Sequence, residues 1–495
     1  MVGEILKLCK EKGFFLDKET LRLLSELDKN KAYEIIEKIS RLKLKERVIT
    51  QELYKRYINS PKDLLNNDNL IDEKIKLLSN SAPFSKKINV MDFVNHFQVR
   101  YKAIRGILEI KSLENLSSIR RIGINNGAWT IIVLILNKRM TKNKNLLIEV
   151  EDLTGKSIIL VNRENLALFS QAKELLLDDI VAFRVSGSNK MLFASDIIYP
   201  DAVLSKKKYS SFDEYVAFSG DFHVGSKMFL EKKLLRFIKW LNGGIGDKRQ
   251  KEIAKKVKYL FLAGDNIDGV GIYQGQEKFL NIRNCKEQYK KVEEILKKIR
   301  KDVQIIMCPG QHDAVWVGEP QSIIPEKWAP GLHQMENLYL VPNPALVEII
   351  GGFKVLMYHG AGINRFIDEI PEIRTKYGHK SPTKVVKEML KRRHLAPIHG
   401  LMDYIPCENK DPMVIDIVPD IIVTADQHRA EIDSYNNILM VASSCWQSIT
   451  PFEEKIGNVP DPCKVPLFNL KTREVKIMDF SRDDDLVCKM EEKNE

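Results

Sequence analysis

The chain has 495 residues, 44% of them hydrophobic and 29% charged, with 78 Lys and Arg against 67 Asp and Glu. That length exceeds one ordinary core and argues for roughly two to four domains of a soluble globular protein; no apolar run approaches a membrane span, and Met1-Val-Gly-Glu-Ile5 lacks the basic-then-apolar plan of a secretory leader. The net charge of +11 favours a polyanionic partner, since each phosphate neutralised releases counterions, although a solvated Lys/Glu surface gives the same excess.

Residues 1–58 read as a helical N-terminal module. Ala32, Ile35, Ile36 and Ile39 keep helical spacing, Asp17 stands where an N-cap would, and Gly13 would close the first helix. Partner docking and a plain helical cap both fit this module. Residues 59–90 are rich in loop formers (Asn66-Asn-Asp-Asn69, Ser79 to Ser85) and read as a flexible linker. Helical spacing returns from Asp92 to Lys111 through Phe93, Phe97 and Tyr101. Next come five β-rich runs: Trp129–Leu136, Leu146–Val150, Ser157–Val161, Ile180–Val185 and Met191–Ile198. Asp152-Leu-Thr-Gly155 turns between the second and third, and a helix at Glu164–Leu177 separates the third from the fourth, which is the OB plan. Few aromatics on the second and third strands favour a structural, subunit-contacting barrel over a nucleic-acid groove. From Asp213 to about Asp479 strands alternate with helices such as Leu230–Leu241 and Cys285–Ile299, which predicts a layered α/β domain. Within the charged stretch Ile363–Asp411, Lys391-Arg-Arg-His394 reads as a solvated helix face or a DNA-backbone contact. The seven cysteines are scattered without C-x-x-C and fit reduced thiols of a cytoplasmic protein.

Five strand ends carry the chemistry. Tyr215-Val-Ala-Phe-Ser219 runs into Asp221-Phe-His223, and Tyr259–Ala263 into Gly264-Asp265-Asn-Ile-Asp268. Val303–Met307 leads to Gly310-Gln311-His312-Asp313, Phe353–Tyr358 to His359-Gly360, and Ile421–Val423 to Asp426-Gln-His428. Four of the nine histidines occupy these junctions, which random placement would not give. α/β sheets gather their ligands at this carboxyl edge.

The order D-x-H, G-D-x-x-D, G-N-H-D, H-G, G-H-x-H is that of the calcineurin-like metallophosphoesterase superfamily. SGDFHVGSKMF, AGDNIDGVGIYQGQE, PGQHDAVWVGEPQ and LKRRHLAPIHG resemble the small, exonuclease subunits of archaeal family D DNA polymerases, over about residue 115 to Pro466. The resemblance implies a multidomain chain: the helical module 1–58, the linker 59–90, a helix plus OB-fold β-barrel at 91–205, an α/β layered metallophosphoesterase domain at 206–480, and a tail at 481–495. It implies a metal-dependent 3′–5′ proofreading exonuclease within a DNA-directed DNA polymerase, partnered by a large catalytic subunit. Such a protein acts on DNA 3′ ends, in a cytoplasmic, nucleoid-associated setting.

Phosphodiester cleavage suits a pair of divalent ions about 3.5–4 Å apart, which activate water and clamp the phosphate. The resemblance assigns Asp221, His223 and His428 to the first ion, Asp265 as the bridge, and Gln311, His359 and Asp426 to the second. His312 is then the transition-state donor, with Asp313 orienting its ring. Mixed imidazole and carboxylate ligands point to Mn first, with Mg, Fe or Zn as further candidates. Two positions depart from the pattern: Gln311 replaces the family's Asn, and Asp426 replaces a His. Both fall on the second ion. They leave open a catalytically weakened or inactive phosphoesterase kept as a structural subunit. A free-standing small-substrate esterase is disfavoured, since it needs neither barrel nor helical module.

Overall fold

Tyr215–Ser219 shows how the main domain is layered, because all five of its side chains are buried. Val216 and Phe218 enter one apolar core while Tyr215 and Ala217 enter another, as a strand covered on both faces requires. The protein is seen here in a computed structural model that describes residues 5–6, 8–9, 15–25, 48–49, 75–79, 87–400, 402–482 and 487–490. The chain divides into two units, Met1–Lys74 and Ile75–Glu495.

In the first unit, β1 (Phe15–Leu16) pairs in parallel with β2 (Val48–Ile49). The helix Lys18–Ser25 starts at Asp17, whose Oδ1 accepts from the Thr20 amide at 2.7 Å, the expected cap. Gly13 and the stripe from Ala32 to Ile39 lie outside the described residues.

The second unit begins inside the stretch read as a linker. There β3 (Ile75–Leu77) pairs antiparallel with residues 347–349, a correction to the linker reading. Three residues are too few to display an alternating pattern. The helix Val90–Glu109 opens with a capping box between Asn89 and Asp92. After β4 (Leu116–Ser117) come β5 (Gly127–Met140), β6 (Leu146–Asp152), β7 (Gly155–Val161), β8 (Ile180–Ser188) and β9 (Met191–Ile198). Pairing of β5 with β8 closes a five-stranded barrel around Ile131, Val133, Ile148, Val150, Ile159 and Phe183. The helix Leu166–Lys173 lies between β7 and β8 in sequence. The Asp152 carboxylate accepts from the amides of Thr154 and Gly155 and so builds the predicted turn.

Two sheets follow, formed by β10 (Tyr215–Ser219), β11 (Val257–Ala263), β12 (Gln304–Cys308), β13 (Leu338–Leu340), β14 (Ala345–Ile349), β15 (Phe353–Met357), β16 (Ile421–Thr424), β17 (Glu431–Tyr435), β18 (Ile438–Ala442), β19 (Lys464–Asn469), β20 (Val475–Asp479) and β21 (Val487–Met490). One sheet runs β13-β12-β11-β10-β19-β20-β21 and the other β17-β18-β16-β15-β14-β3. Phe218, Phe261 and Ile306 of the first meet Val355, Val423 and Val441 of the second between them. Helices Glu231–Leu241 and Cys285–Leu296 cover the outer face of the first sheet, and helix Pro382–Arg392 that of the second. The result is helix on sheet on sheet on helix. No helix of the described residues is long and apolar enough to cross a membrane.

The basic run Lys391–His394 is neither a solvated face nor a DNA contact. Arg392, Arg393 and His394 are buried. Arg392 pairs with Asp179 at 3.0 Å and donates to the Glu174 carbonyl at 2.6 Å, fastening the barrel to the layered domain. Composition shows the charges but not these distant partners.

A second clasp holds the long helix. Arg100 donates to Asp411 at 2.7 Å and to the Pro397 carbonyl at 2.6 Å, and His394 contacts Asp411 at 3.0 Å. The Ala396 amide donates to His394 Nδ1, so the neutral ring carries its proton on Nε2 and gives it to Asp411. Burial raises the Asp411 pKa, but Arg100 and then His394 outweigh it and hold the carboxyl below its usual range. Burial, then Arg100, pushes His394 down to about 4. The unfolded imidazole, near pKa ~6.5, therefore takes its proton first, and this site loses stability as pH falls from about 6.5 towards 4. Asp411 adds its own loss only below the ordinary carboxylate range, near ~4. Arg100→Ala is expected to lower the unfolding free energy by about 3–5 kcal/mol in urea titrations, because it strands a buried carboxylate. His394→Gln should flatten the dependence of the urea midpoint on pH between about 6.5 and 4; an unchanged slope would contradict the assignment.

Candidate metal centre

All nine residues singled out from the sequence lie in the loops just past β10, β11, β12, β15 and β16. Those strands come from both sheets, so the site sits where the two carboxyl edges meet. Five of the residues have left-handed backbones: φ is 48° at Asp221, 49° at His223, 47° at Asp265, 66° at Asp426 and 54° at His428. Non-glycine residues avoid this region, at a cost on the order of 1–3 kcal/mol each. Here the backbone is pinned from outside. The Asp221 amide donates to the Gly264 carbonyl, the His223 amide to Asp265 O, and the Asp426 amide to Asp221 Oδ2, at 3.0, 3.0 and 2.9 Å. The turn ends strand alternation, and Asp221 and His223 contribute to one cluster.

Donor atoms within 4.8 Å of one another form three overlapping groups: Asp221, His223 and His428; His223, Asp265 and His312; Asp221, Asp265 and His359. Asp221, His223 and Asp265 each belong to two of them. His359 Nε2 lies 3.4 Å from Asp265 Oδ2 and 3.9 Å from Asp426 Oδ1.

Hydrogen bonds fix the rings. His223 Nδ1 contacts Asp268 Oδ1 at 3.1 Å, and His428 Nδ1 contacts Glu453 Oε1 at 2.8 Å. A carboxylate only accepts, so each Nδ1 carries the proton. The two Nε2 atoms then face one another at 3.1 Å. Burial lowers the His428 pKa, but Cys445, Glu453 and Asp221 lift it well above an ordinary imidazole, so in the absence of a metal a proton on His428 joins it to His223. His359 Nδ1 likewise gives its proton to the Ala263 carbonyl at 2.8 Å. Its Nε2, and Oδ1 of Asp221, are buried with no hydrogen-bond partner among the described residues. Inward-turned imidazole nitrogens beside buried carboxylate oxygens form a donor set that takes up cations, protons or a metal ion alike.

Electrostatics agree. Burial raises the Asp221 pKa to about 7, with Asp265 and Asp426 adding to the rise against His428 and His359. Burial also pushes Asp265 upward, but His359, His312 and His223 hold it well below the carboxylate range. Burial lowers the His359 pKa, yet Asp265, Asp221 and Asp426 together lift it far above an ordinary imidazole. The cluster attracts positive charge.

Known proteins align with this chain. The family model that describes the B subunit of DNA polymerases alpha and epsilon matches residues 216–433. The chain is 32% identical to the DNA polymerase II small subunit of Methanothermobacter thermautotrophicus, over 97% of this chain and 100% of that one. It is 35% identical to that of Archaeoglobus fulgidus, over 77% of this chain and 75% of the relative. The chain belongs to the DNA polymerase II small subunit family. Against the Pyrococcus furiosus member, 32% identical, the match spans 64% of that relative's length. A solved structure entitled a novel archaeal phosphodiesterase aligns with TM-score 0.27 and 11% identity, over 53% of this chain and 98% of that one; a likeness so slight decides nothing.

Within this family member, the expected pairing of Asp313 with His312 is not what holds the ring. His312 Nδ1 contacts the Asp268 carbonyl at 2.8 Å instead. Asp313 accepts from the Gly310 amide, the Asn266 side chain and Tyr289 OH, and braces the loop from beneath. Adjacent residues on a turn point apart, which the G-Q-H-D string cannot show. Gln311 is half-buried in the same loop. Asp426 approaches His359, and its other oxygen accepts from Gln427 at 2.7 Å and Asn364 at 3.3 Å.

Three functional residues escaped the sequence reading. Asp268 orients both His223 and His312; its place in G-D-x-x-D was the available signal. Glu453 orients His428, and the Thr450-x-x-Glu453 capping box hid that role. Gly310 is the third. A Cβ there would sit 2.2 Å from Asp265 Oδ1 and 2.7 Å from His359 Nε2. Gly310→Ala is therefore expected to destabilise the fold by about 1–3 kcal/mol, read by thermal unfolding, because two buried ring and carboxylate groups must retreat. A variant as stable as the parent would show that the loop yields freely.

Proposed function

We propose that this chain is a metal-dependent 3′–5′ exonuclease subunit that removes nucleotides from DNA 3′ ends alongside a large catalytic polymerase subunit. The three overlapping groups of carboxylate and imidazole donors carry the reading, with Nε2 of His223 and His428 turned to one point 3.1 Å apart, since such a donor set suits divalent ions. Asp221, His223 and His428 would hold one ion, Asp265 would be shared, and His359, Gln311 and Asp426 would serve the other. Imidazole with carboxylate donors favours Mn, Fe or Zn over Mg, and Mn leads. When bound, such ions neutralise phosphodiester charge and activate water.

The chain's own groups supply the rest. Asp268 and Glu453 keep the His223 and His428 lone pairs turned inward. With Nδ1–H held by the Asp268 carbonyl, His312 would act through Nε2, which gives a proton to the departing 3′ oxygen from the doubly protonated ring and leaves a neutral imidazole with its proton on Nδ1. The barrel, with a helix between its third and fourth strands, follows the OB plan, and its role would be to contact the large subunit. A nucleoid-associated cytoplasmic setting follows from the substrate.

One observation favours a second reading, a structural subunit with weakened chemistry. Asp426 Oδ2 already accepts from Gln427 and Asn364, which draws on the lone pairs an ion would need. Release of nucleoside monophosphates from a mismatched 3′ end with Mn decides between them: metal-dependent release supports the exonuclease, and none alongside tight binding of the large subunit supports the structural role. Under the first reading His312→Ala should lower turnover by about 10²–10⁴-fold. Asp265→Asn should cost more than any other single ligand change; full activity would remove Asp265 as the shared ligand. Glu453→Gln keeps the helix cap but loses the charge behind His428. Calorimetry should show Mn affinity falling about 10–100-fold, and unchanged affinity would contradict the orienting role.

A further inference from the structure

Two loops beside the cluster present apolar side chains to solvent although their backbones are fixed from below. The first follows Asp268. Val270, Ile272 and Tyr273 are 43%, 38% and 39% exposed there, while Gln276, buried beneath, bonds the Asp268 carbonyl and the Ile272 amide. The second follows His312. Trp316 is 76% exposed and Val317 54%, while the buried Gln321 side chain donates to the Trp316 carbonyl at 3.0 Å and the Gly310 carbonyl at 3.3 Å. Gly310 abuts Asp265 and His359, so one amide ties the tryptophan's backbone to the floor of the cluster. His312 Nδ1, bonded to the Asp268 carbonyl at 2.8 Å, joins the two loops. A Cβ on Gly269 would meet the His312 carbonyl at 2.5 Å, so they touch as well.

The Trp316 side chain, four residues from His312 and mostly exposed on a hydrogen-bonded backbone, buries little of itself in the fold. Burial would stabilise it, and its backbone is already ordered, so a flat apolar partner would order little else on binding. A nucleobase next to a bound phosphodiester is such a partner, and stacking on aromatic side chains is the general means of holding unpaired strands. The net charge of +11 suits the accompanying phosphates.

We propose that Trp316 forms a stacking platform for unpaired bases at the DNA 3′ end whose phosphodiester the cluster holds. This deepens the exonuclease reading and rests on it. A paired end offers no free base face, whereas a mismatched end frays and does. The platform thus selects ends without reading their sequence.

The test compares a short single-stranded thymidine oligonucleotide with an abasic strand of equal length, both with cleavage-resistant phosphorothioate linkages, binding to the full chain in Mn so that the cluster can hold the phosphodiester and nothing is cut. The parent protein should bind the thymidine strand about tenfold more tightly, by fluorescence anisotropy of a labelled strand. Trp316→Ala should lose that preference and bind both strands alike, Trp316→Phe should keep most of it, and all three should unfold at the same temperature. Quenching of indole emission by the thymidine strand should disappear in Trp316→Phe. Equal binding of both strands by the parent, or an intact preference in Trp316→Ala, overturns the platform. Metal-dependent hydrolysis of bis(p-nitrophenyl) phosphate by the parent tests the exonuclease reading separately. Hydrolysis without base preference sinks the platform alone, and base preference without hydrolysis supports the platform while sinking the exonuclease.

Discussion

Two imidazole nitrogens, His223 Nε2 and His428 Nε2, face each other at 3.1 Å because a carboxylate behind each ring accepts a hydrogen bond from the other nitrogen. The pair can share a proton or turn both lone pairs to a metal ion. Beside it, Asp221 Oδ1 and His359 Nε2 are buried without a hydrogen-bond partner among the described residues, and five non-glycine residues at strand ends have left-handed backbones. Strain gathered at one place while the surrounding cores are well packed is the signature of a functional site. A cation answers most of it at once.

The remainder of the fold makes that strain tolerable. Two sheets share one apolar interior, and their carboxyl edges hold the five loops together from opposite sides. Buried glutamines, Gln276 and Gln321, bond loop carbonyls and amides that have left the sheets. Arg100 and Arg392 do the same at a larger scale. One holds the long helix against the layered domain and the other fastens the barrel, each through a buried carboxylate. Displacing either would free neighbouring loops, since Asp411 and Asp179 would be left as lone buried charges.

Much of this was legible because strand patterns and chemical residue types are local. Each of the five junctions shows an apolar run followed by Asp, His or an amide, and each lies where that reading placed it. The five barrel strands were found too, with ends shifted by a few residues. What stayed hidden depends on distant partners or on backbone shape. Lys391–His394 looks like a solvated face until Asp179 is seen to pair with Arg392 and Asp411 to accept from His394. Asp313 follows His312 in the chain yet turns towards Tyr289. Glu453 reads as an ordinary helix cap, and only the fold brings it to His428. β3 is too short to reveal a period. Gly310 could be read as any turn glycine, whereas its real constraint is the absence of room beside Asp265.

The most direct measurement is anomalous diffraction from a crystal of the protein soaked in Mn. The account predicts one peak among Asp221, His223 and His428 and a second beside His359 and Asp426, with Asp265 between them and a separation of about 3.5–4 Å. A map with no peak in the cluster, while His223 and His428 keep their approach, would contradict it.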